Sequence, residues 1–412
     1  MRVCGRVVQC AADGLLLDDG SAARSFLRTP GDETVRAGDL VVLELPDASC
    51  VQPVGVWVVG RHAGLGEFPS PEGEWYRLHR NGARRLRNLM RRSVLLTAVR
   101  RFFADRGFVE IEAPLLVPAP GLELHLDAFA VGKDRYLITS PEYQLKRLLV
   151  GGLSRIFSLG KAFRRGEAGP QHNPEFTLLE WYRAWEGWEA VARDVEELCA
   201  ELATAVAGRP RVRYRDKEVD LTPPWTRMTV AEALERYAGV RLRGDESTEE
   251  LRHLLRRAGH DPRGAESWDD LFFSVFLDRV EPHLGRAQSP DEAARPVVLH
   301  DWPRPLGALA RSKPGAPEVV ERFEAYAGGL ELCNGFGELC DPVEQRARFM
   351  QDLAERQRRG LPTYPLDERF LAALAEGMPP SGGVALGLDR LLMLLLEAED
   401  ISEVLPFAWS EL

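Results

Sequence analysis

The stretch Phe163–Tyr182, FRRGEAGPQHNPEFTLLEWY, constrains this chain more than any other. Apolar runs at Ile156–Phe163 and Phe176–Trp185 read as strands, and the glycine- and proline-bearing segment between them reads as a hydrated loop. The arrangement calls for a strand–loop–strand unit with an Arg at the end of the first strand and an aromatic at the start of the second. Arg164 offers a rigid fork of donors suited to phosphate oxygens, and Phe176 offers a face on which a purine stacks. His172 stands between them. A plain amphipathic hairpin carrying surface charge satisfies the same pattern, so the segment needs support from the rest of the chain.

A chain of 412 residues exceeds one small core and points to two or three domains. Residues 1–66 read as five short strands, Arg2–Gln9, Gly14–Leu17, Ser25–Leu27, Asp39–Leu45 and Gly55–Val59. Turn signals at Asp18-Asp19-Gly20, Pro30-Gly31-Asp32 and Ala37-Gly38-Asp39 separate them. That density suggests a small OB-like β-barrel. Residues 67–73 are a linker by composition, and a helical pattern follows from Glu74 to Arg106. Strands and helices then alternate through 74–412, with a helical insertion at about 225–295 for which Thr229, Asp261 and Asp291 are start signals.

Charge and cysteine usage narrow the class. The net charge is −10, which disfavours a long nucleic acid as the main partner, although an arginine stripe runs from Arg77 to Arg101. Its positions alternate with Leu86, Leu89, Val94, Leu95 and Val99 at helical spacing, which reads as the solvated face of a helix. The six cysteines form no CxxC pair and fit a reducing, cytoplasmic setting. No apolar run reaches the length of a membrane span, so no membrane partner is expected.

Two further segments carry chemistry. In RFEAYAGGLELCNGFGEL, Glu324, Glu331 and Glu338 recur every seven residues. If Leu330–Phe336 is a strand, Glu331 shares a face with Cys333 and Gly335 and leaves room for a ligand. Carboxylates beside a triphosphate suit Mg2+, which takes a few hard oxygens and keeps waters, whereas exposed strand-edge charges would give the same spacing. GVALGLDRLLML opens with a glycine-lined strand and places Asp389-Arg390 at a helix mouth, where an anion is favoured. It matches neither G-x-G-x-x-G nor a phosphate-binding G-x-x-x-x-G-K-S/T loop.

In order along the chain, Arg101–Leu116 (RFFADRGFVEIEAPLL), Phe163–Glu180 and Gly383–Leu394 resemble the three signature motifs of class II aminoacyl-tRNA synthetases. Within that class SPEYQLKRLL at 140–149, HNPEFTLLEWY at 172–182 and ELCNGFGEL at 331–339 are similar to the lysine subgroup. Ser140-Pro141-Glu142-Tyr143 and Ala385 bring it nearest the elongation factor P (R)-β-lysine ligase family, where lysyl-tRNA synthetases usually carry Ala-Pro-Glu-Leu and Gly.

The resemblance implies an α+β fold: a class II catalytic domain with an antiparallel sheet flanked by helices, dimerising through Glu74–Leu116. It implies ATP and Mg2+ as cofactors, and lysine or β-lysine as substrate. Elongation factor P is the expected acceptor, with tRNA as the alternative and a non-catalytic paralogue as a third reading. Position by position, Arg164 would hold the α-phosphate and the attacking carboxylate, and Phe176 would stack on adenine. His172 and Asn173 would flank the triphosphate and adenylate. Arg390 would reach the nucleotide from the opposite side, with Leu332 beside it and Gly387 giving clearance. Glu324 and Glu331 would hold the metal. Glu142, with Ser140 and Pro141, would take the amino group near the reacting carbon, and Glu338 with Tyr182 the distal ammonium above Ala385. One departure stands out. Gly166 occupies the place of the second motif's usual Glu, and Glu167 follows it.

Overall fold

The computed structural model describes residues 1–29, 34–64, 67–289, 291–307 and 309–412. The chain divides into two compact units, Met1–Arg87 and Asn88–Leu412.

In the first unit all five expected strands form, as Arg2–Cys10, Gly14–Asp18, Ala23–Leu27, Leu40–Glu44 and Gly55–Gly60. They pair antiparallel, with Ala23–Leu27 at one edge and Gly55–Gly60 at the other. The two edge strands do not pair with each other, so the sheet is open and the expected closed barrel does not form among the described residues. One buried face carries Val3, Val7, Leu15, Leu17, Phe26, Val41 and Leu43, set by the two-residue alternation of the strands. Short, two-sided strands bury enough on that one face, and nothing in them requires closure. The turn at Pro30-Gly31-Asp32 lies outside the described residues.

The helix Glu74–Asp105 is interrupted at Arg80–Ala83, where Asn81, Gly82 and Ala83 all take positive φ. Its apolar positions Leu95, Val99, Phe102 and Phe103 enter the main core of the second unit.

That unit is built on one large sheet. From one edge the order is Thr226–Thr229, Val297–Pro303, Ala316–Ala327, Leu330–Gly337, Ser381–Gly387, Glu175–Ala184, Arg155–Phe163 and Val109–Glu110, with Ser312–Lys313 paired to Ala316–Ala327. The central pairings are antiparallel, and only the two outermost are parallel. The twelve-residue strand Ala316–Ala327 escapes a reading by alternation because it ends in a buried run, Phe323–Ala327. In the insertion, Thr229 does cap a helix, Val230–Ala238, through a capping box with Glu232. Asp261 and Asp291 start none. Ser247 and Ser267 instead cap Thr248–Arg257 and Trp268–Val275, each with an acid at the third helical position.

The sheet's two faces have opposite tasks. Leu179, Trp181, Phe323, Ala325, Val384 and Leu386 point into a core closed by the helices Trp188–Ala207 and Leu388–Leu395. The alternate positions, including Phe176, Leu178, Asn334, Ala385 and Gly387, line a cavity.

Candidate active site

This cavity, of about 320 Å³, gathers Ser140, Glu142, Arg164, Glu167, His172, Asn173, Phe176, Glu331, Leu332, Ala385, Gly387 and Arg390. Pro141, Tyr182, Glu324 and Glu338 do not line it.

Arg164 leaves the end of the Arg155–Phe163 strand, where its backbone N–H donates to Pro174 O at 2.8 Å. Its guanidinium stands 5.0 Å from the centre of the Phe176 ring. Glu167 is its ion-pair partner at 3.8 Å, and its Nε is buried without a hydrogen-bond partner. Gly166 sits in the turn with φ of 87°, in the left-handed region that an L side chain strains to adopt. This accounts for the motif's departure: glycine occupies the turn, and the carboxylate one residue later still reaches the cavity.

Arg390 bridges the loop and the sheet. It donates to Glu331 Oε2 and to Glu331 O, each at 3.1 Å, and approaches His172 Nε2 at 2.6 Å. Burial, and then the Arg390 charge, hold the His172 imidazole below its usual pKa, and because a guanidinium only donates, this contact uses Nε2 as the acceptor. Asn173 is fixed from both ends, its amide donating to Glu175 O and its Oδ1 accepting from Trp409 N. A Cβ added to Gly387 would meet no protein atom closer than 3.9 Å and would occupy cavity space.

Glu324 lies behind the cavity, accepting from Arg322 at 2.7 Å and from the Tyr326 hydroxyl at 2.5 Å. Burial raises its pKa to about 7 against the pull of Arg322, and repulsion from Glu331 adds to the rise. A bulge between Ala325 and Tyr326 inserts Leu332 into the alternation. Glu331 therefore shares the cavity side with Asn334 and Phe336, and not with Gly335. Gly335 serves the opposite face, where an added Cβ would overlap the Phe323 ring.

Next to Ser140, Glu142 and Ala385 lies a buried polar cluster. Sequence patterns did not single out its centre, Glu180, which is 1% exposed. Ser140 Oγ donates to Glu180 Oε2 at 2.6 Å, and Tyr182 Oη donates to Glu180 Oε1 at 2.7 Å. Glu338 is fully buried. Lys146, likewise not singled out, stands 2.5 Å from Glu142 Oε1 and 2.5 Å from Glu338 Oε2. Burial lifts Glu180 and Glu338 to about 8. Gly383 makes the cluster possible, since a Cβ there would overlap Glu338 Oε1 and the Tyr182 ring. A signal for Glu180 was present: it lies two residues before Tyr182 on one strand and so shares its face.

With this geometry in view, comparison with known proteins decides the family. The model for class II tRNA synthetases (D, K and N) matches residues 74–411. The chain belongs to that family. A lysine–tRNA ligase of Dehalococcoides mccartyi is 38% identical over 323 residues, covering 77% of this chain and 63% of the relative. An elongation factor P–(R)-β-lysine ligase of Haemophilus influenzae is 38% identical over 332 residues, covering 78% of this chain and 95% of the relative. A lysine–tRNA ligase of Moorella thermoacetica is 37% identical over 322 residues, covering 64% of its length. The match thus spans somewhat under two thirds of these lysine–tRNA ligases. In this class II synthetase chain all six cysteines are free thiols, and no described helix is long and apolar enough to cross a membrane.

Proposed function

We propose that the chain is a cytoplasmic ligase that activates lysine or (R)-β-lysine with ATP and passes the acyl group to a lysine of elongation factor P. One observation carries the substrate class: Glu142 lines a cavity on whose other side Arg164 and Phe176 stand, and Glu180 and Glu338 lie behind it, joined to its lining through Ser140 and Lys146. A diamino acid brings two ammonium groups, and each needs a carboxylate once it leaves water. In this reading Glu142 takes the amino group near the carboxylate, and Tyr182 with Glu338, behind the cavity wall, the distal one.

The unpartnered Arg164 Nε, the Phe176 face and the open space at Gly387 fit a nucleotide. The substrate carboxylate attacks the α-phosphorus, the bond to pyrophosphate breaks, and an aminoacyl adenylate forms. Arg164 stabilises charge growing on the α-phosphate, Arg390 anchors the leaving group, and positioning supplies much of the rate. The acceptor amine then attacks the carbonyl and AMP leaves. Glu331 lines the cavity, whereas Glu324 lies behind it with its oxygens accepting from Arg322 and Tyr326; these two carboxylates would hold the hard cation. Mg2+ held there would neutralise phosphate charge.

The protein acceptor is favoured by the near-complete coverage of the Haemophilus relative. Transfer to tRNA is the second reading, supported by equal identity to the Dehalococcoides enzyme. A homodimer through Glu74–Leu116 is supported by Met90, Val94, Val109, Leu115 and Leu116, which are each more than 40% exposed. Pyrophosphate exchange with lysine and β-lysine tests activation, and no exchange with any diamino acid would reduce the chain to a non-catalytic paralogue. An intact-mass shift on elongation factor P selects the first acceptor. Consumption of tRNA alone rejects it.

A further inference from the structure

Lys146 lies one helical turn after Glu142 and has no solvent exposure. Its ammonium pairs with Glu142 Oε1 and Glu338 Oε2, while Oε1 of the fully buried Glu338 has no hydrogen-bond partner. Ser140 Oγ joins the two halves of the cluster, donating to Glu180 and accepting from the Glu142 backbone N–H at 3.1 Å. The cluster's three carboxylates, and Glu123 beyond them, therefore face one resident ammonium. Carboxylates outnumber the resident cation, an excess that a diamino acid's ammonium groups can meet.

A buried pin between a helix and a strand does not need a charge. An apolar side chain of similar volume commonly packs there at lower cost. An ammonium kept at zero exposure, on a carboxylate whose other side lines the cavity, has a second consequence: it sets the charge that the ligand meets.

We propose that Lys146 is a positioning residue for substrate selection, the resident cation that balances one of the cluster's three carboxylates and so tunes the site to a substrate with two ammonium groups. The inference rests on the amino-acid activation proposed above. The charged and titratable groups facing Lys146 are Glu142 on its own helix, Glu338 and Cys340 after the Leu330–Gly337 strand, and Glu180 with Tyr182 on the Glu175–Ala184 strand. Glu123 faces it from the loop lining the cavity. Burial disfavours the ammonium, but Glu142 and Glu338 outweigh it and raise the lysine above its ordinary range. Conversely Lys146 pulls Glu338 and Glu180 down against burial. Without that pull both carboxyls keep their protons to higher pH, and a protonated carboxyl does not receive an ammonium.

The test is pyrophosphate exchange as a function of pH for the wild type, Lys146→Met and Lys146→Arg. Removing the charge should raise KM for the diamino acid about tenfold near neutrality, change kcat far less, and move the midpoint of the 1/KM profile up by about one pH unit. Lys146→Arg, which keeps the charge, should hold the wild-type midpoint whatever it does to KM. If Lys146→Met does not fold, Lys146→Gln takes its place. A loss of activity equal at every pH, or equal midpoint shifts in the Met and Arg variants, would overturn the proposal and leave Lys146 a structural pin. Absence of exchange in the wild type would instead remove the activation reading beneath it.

Discussion

Arg92 Nη1 lies 2.5 Å from Asp389 Oδ1, and both side chains are nearly buried. The same guanidinium donates to Thr177 Oγ1 at 2.8 Å and to Val404 O at 3.1 Å, while Asp389 Oδ2 accepts from Thr177 N at 2.7 Å. This network ties the Glu74–Asp105 helix to the residue after Phe176 and to the residue before Arg390. The two sides of the proposed nucleotide grip are thereby held to one pin. Arg92→Leu leaves Asp389 buried and unpaired, and should destabilise the protein by about 3–5 kcal/mol. Replacing both residues with apolar ones should cost less than replacing either. Chemical denaturation of the two single variants and the double variant checks this, and simple additivity would contradict the network.

Arg164→Ala should lower pyrophosphate exchange by roughly 100- to 1000-fold, the scale of one lost charge-stabilising donor. Its partners are a single long ion pair and a ring, so the far-ultraviolet circular dichroism should match the wild type. Exchange within a few-fold of wild type would displace Arg164 from the proposed chemistry.

Ala385 pairs in register with Glu180 on one side and Asn334 on the other. Its methyl therefore adjoins the proposed amino-group pocket. Ala385→Gly should move relative kcat/KM from β-lysine toward α-lysine by roughly tenfold, the worth of about one methyl group. Unchanged selectivity would show that the methyl does not touch the substrate.

Gly383→Ala would drive a methyl into Glu338 and the Tyr182 ring. Overpacking of this kind costs about 1–3 kcal/mol. The proposed distal pocket should suffer more than the nucleotide site, so KM for lysine should rise while KM for ATP stays near its wild-type value. Equal changes in both would argue against the placement.

Glu180 and Glu338 should also give the protein a stability that depends on pH. Their folded-state values, about 8, stand above the ordinary 4.5. The stability they contribute is full below the ordinary value and is lost as pH rises through about 8. Melting temperature without substrate should fall from about pH 4.5 to about pH 8 and level off above it, and saturating lysine should flatten the curve by supplying the ammonium groups. A melting temperature that rises over that interval would contradict the assignment.

The amino-acid sequence by itself determines a good part of this protein. The alternation around Phe163–Tyr182, the helix mouth at Arg390 and the five amino-terminal strands all rest on local periodicity and turn chemistry, which the chain carries residue by residue. Family membership rests equally on local motifs in order. Tertiary structure decided the rest. Sheet closure depends on whether edge strands meet, and here Ala23–Leu27 and Gly55–Gly60 do not pair. The cavity face of Leu330–Gly337 depends on a bulge that only pairing with Ala316–Ala327 reveals. Lys146 and Glu338 are 192 positions apart in the chain and 2.5 Å apart in the fold. No spacing rule reaches that far, because burial and electrostatic coupling belong to three-dimensional neighbours and not to sequence neighbours. A strand's period fixes which side a residue faces; only packing fixes what it meets there.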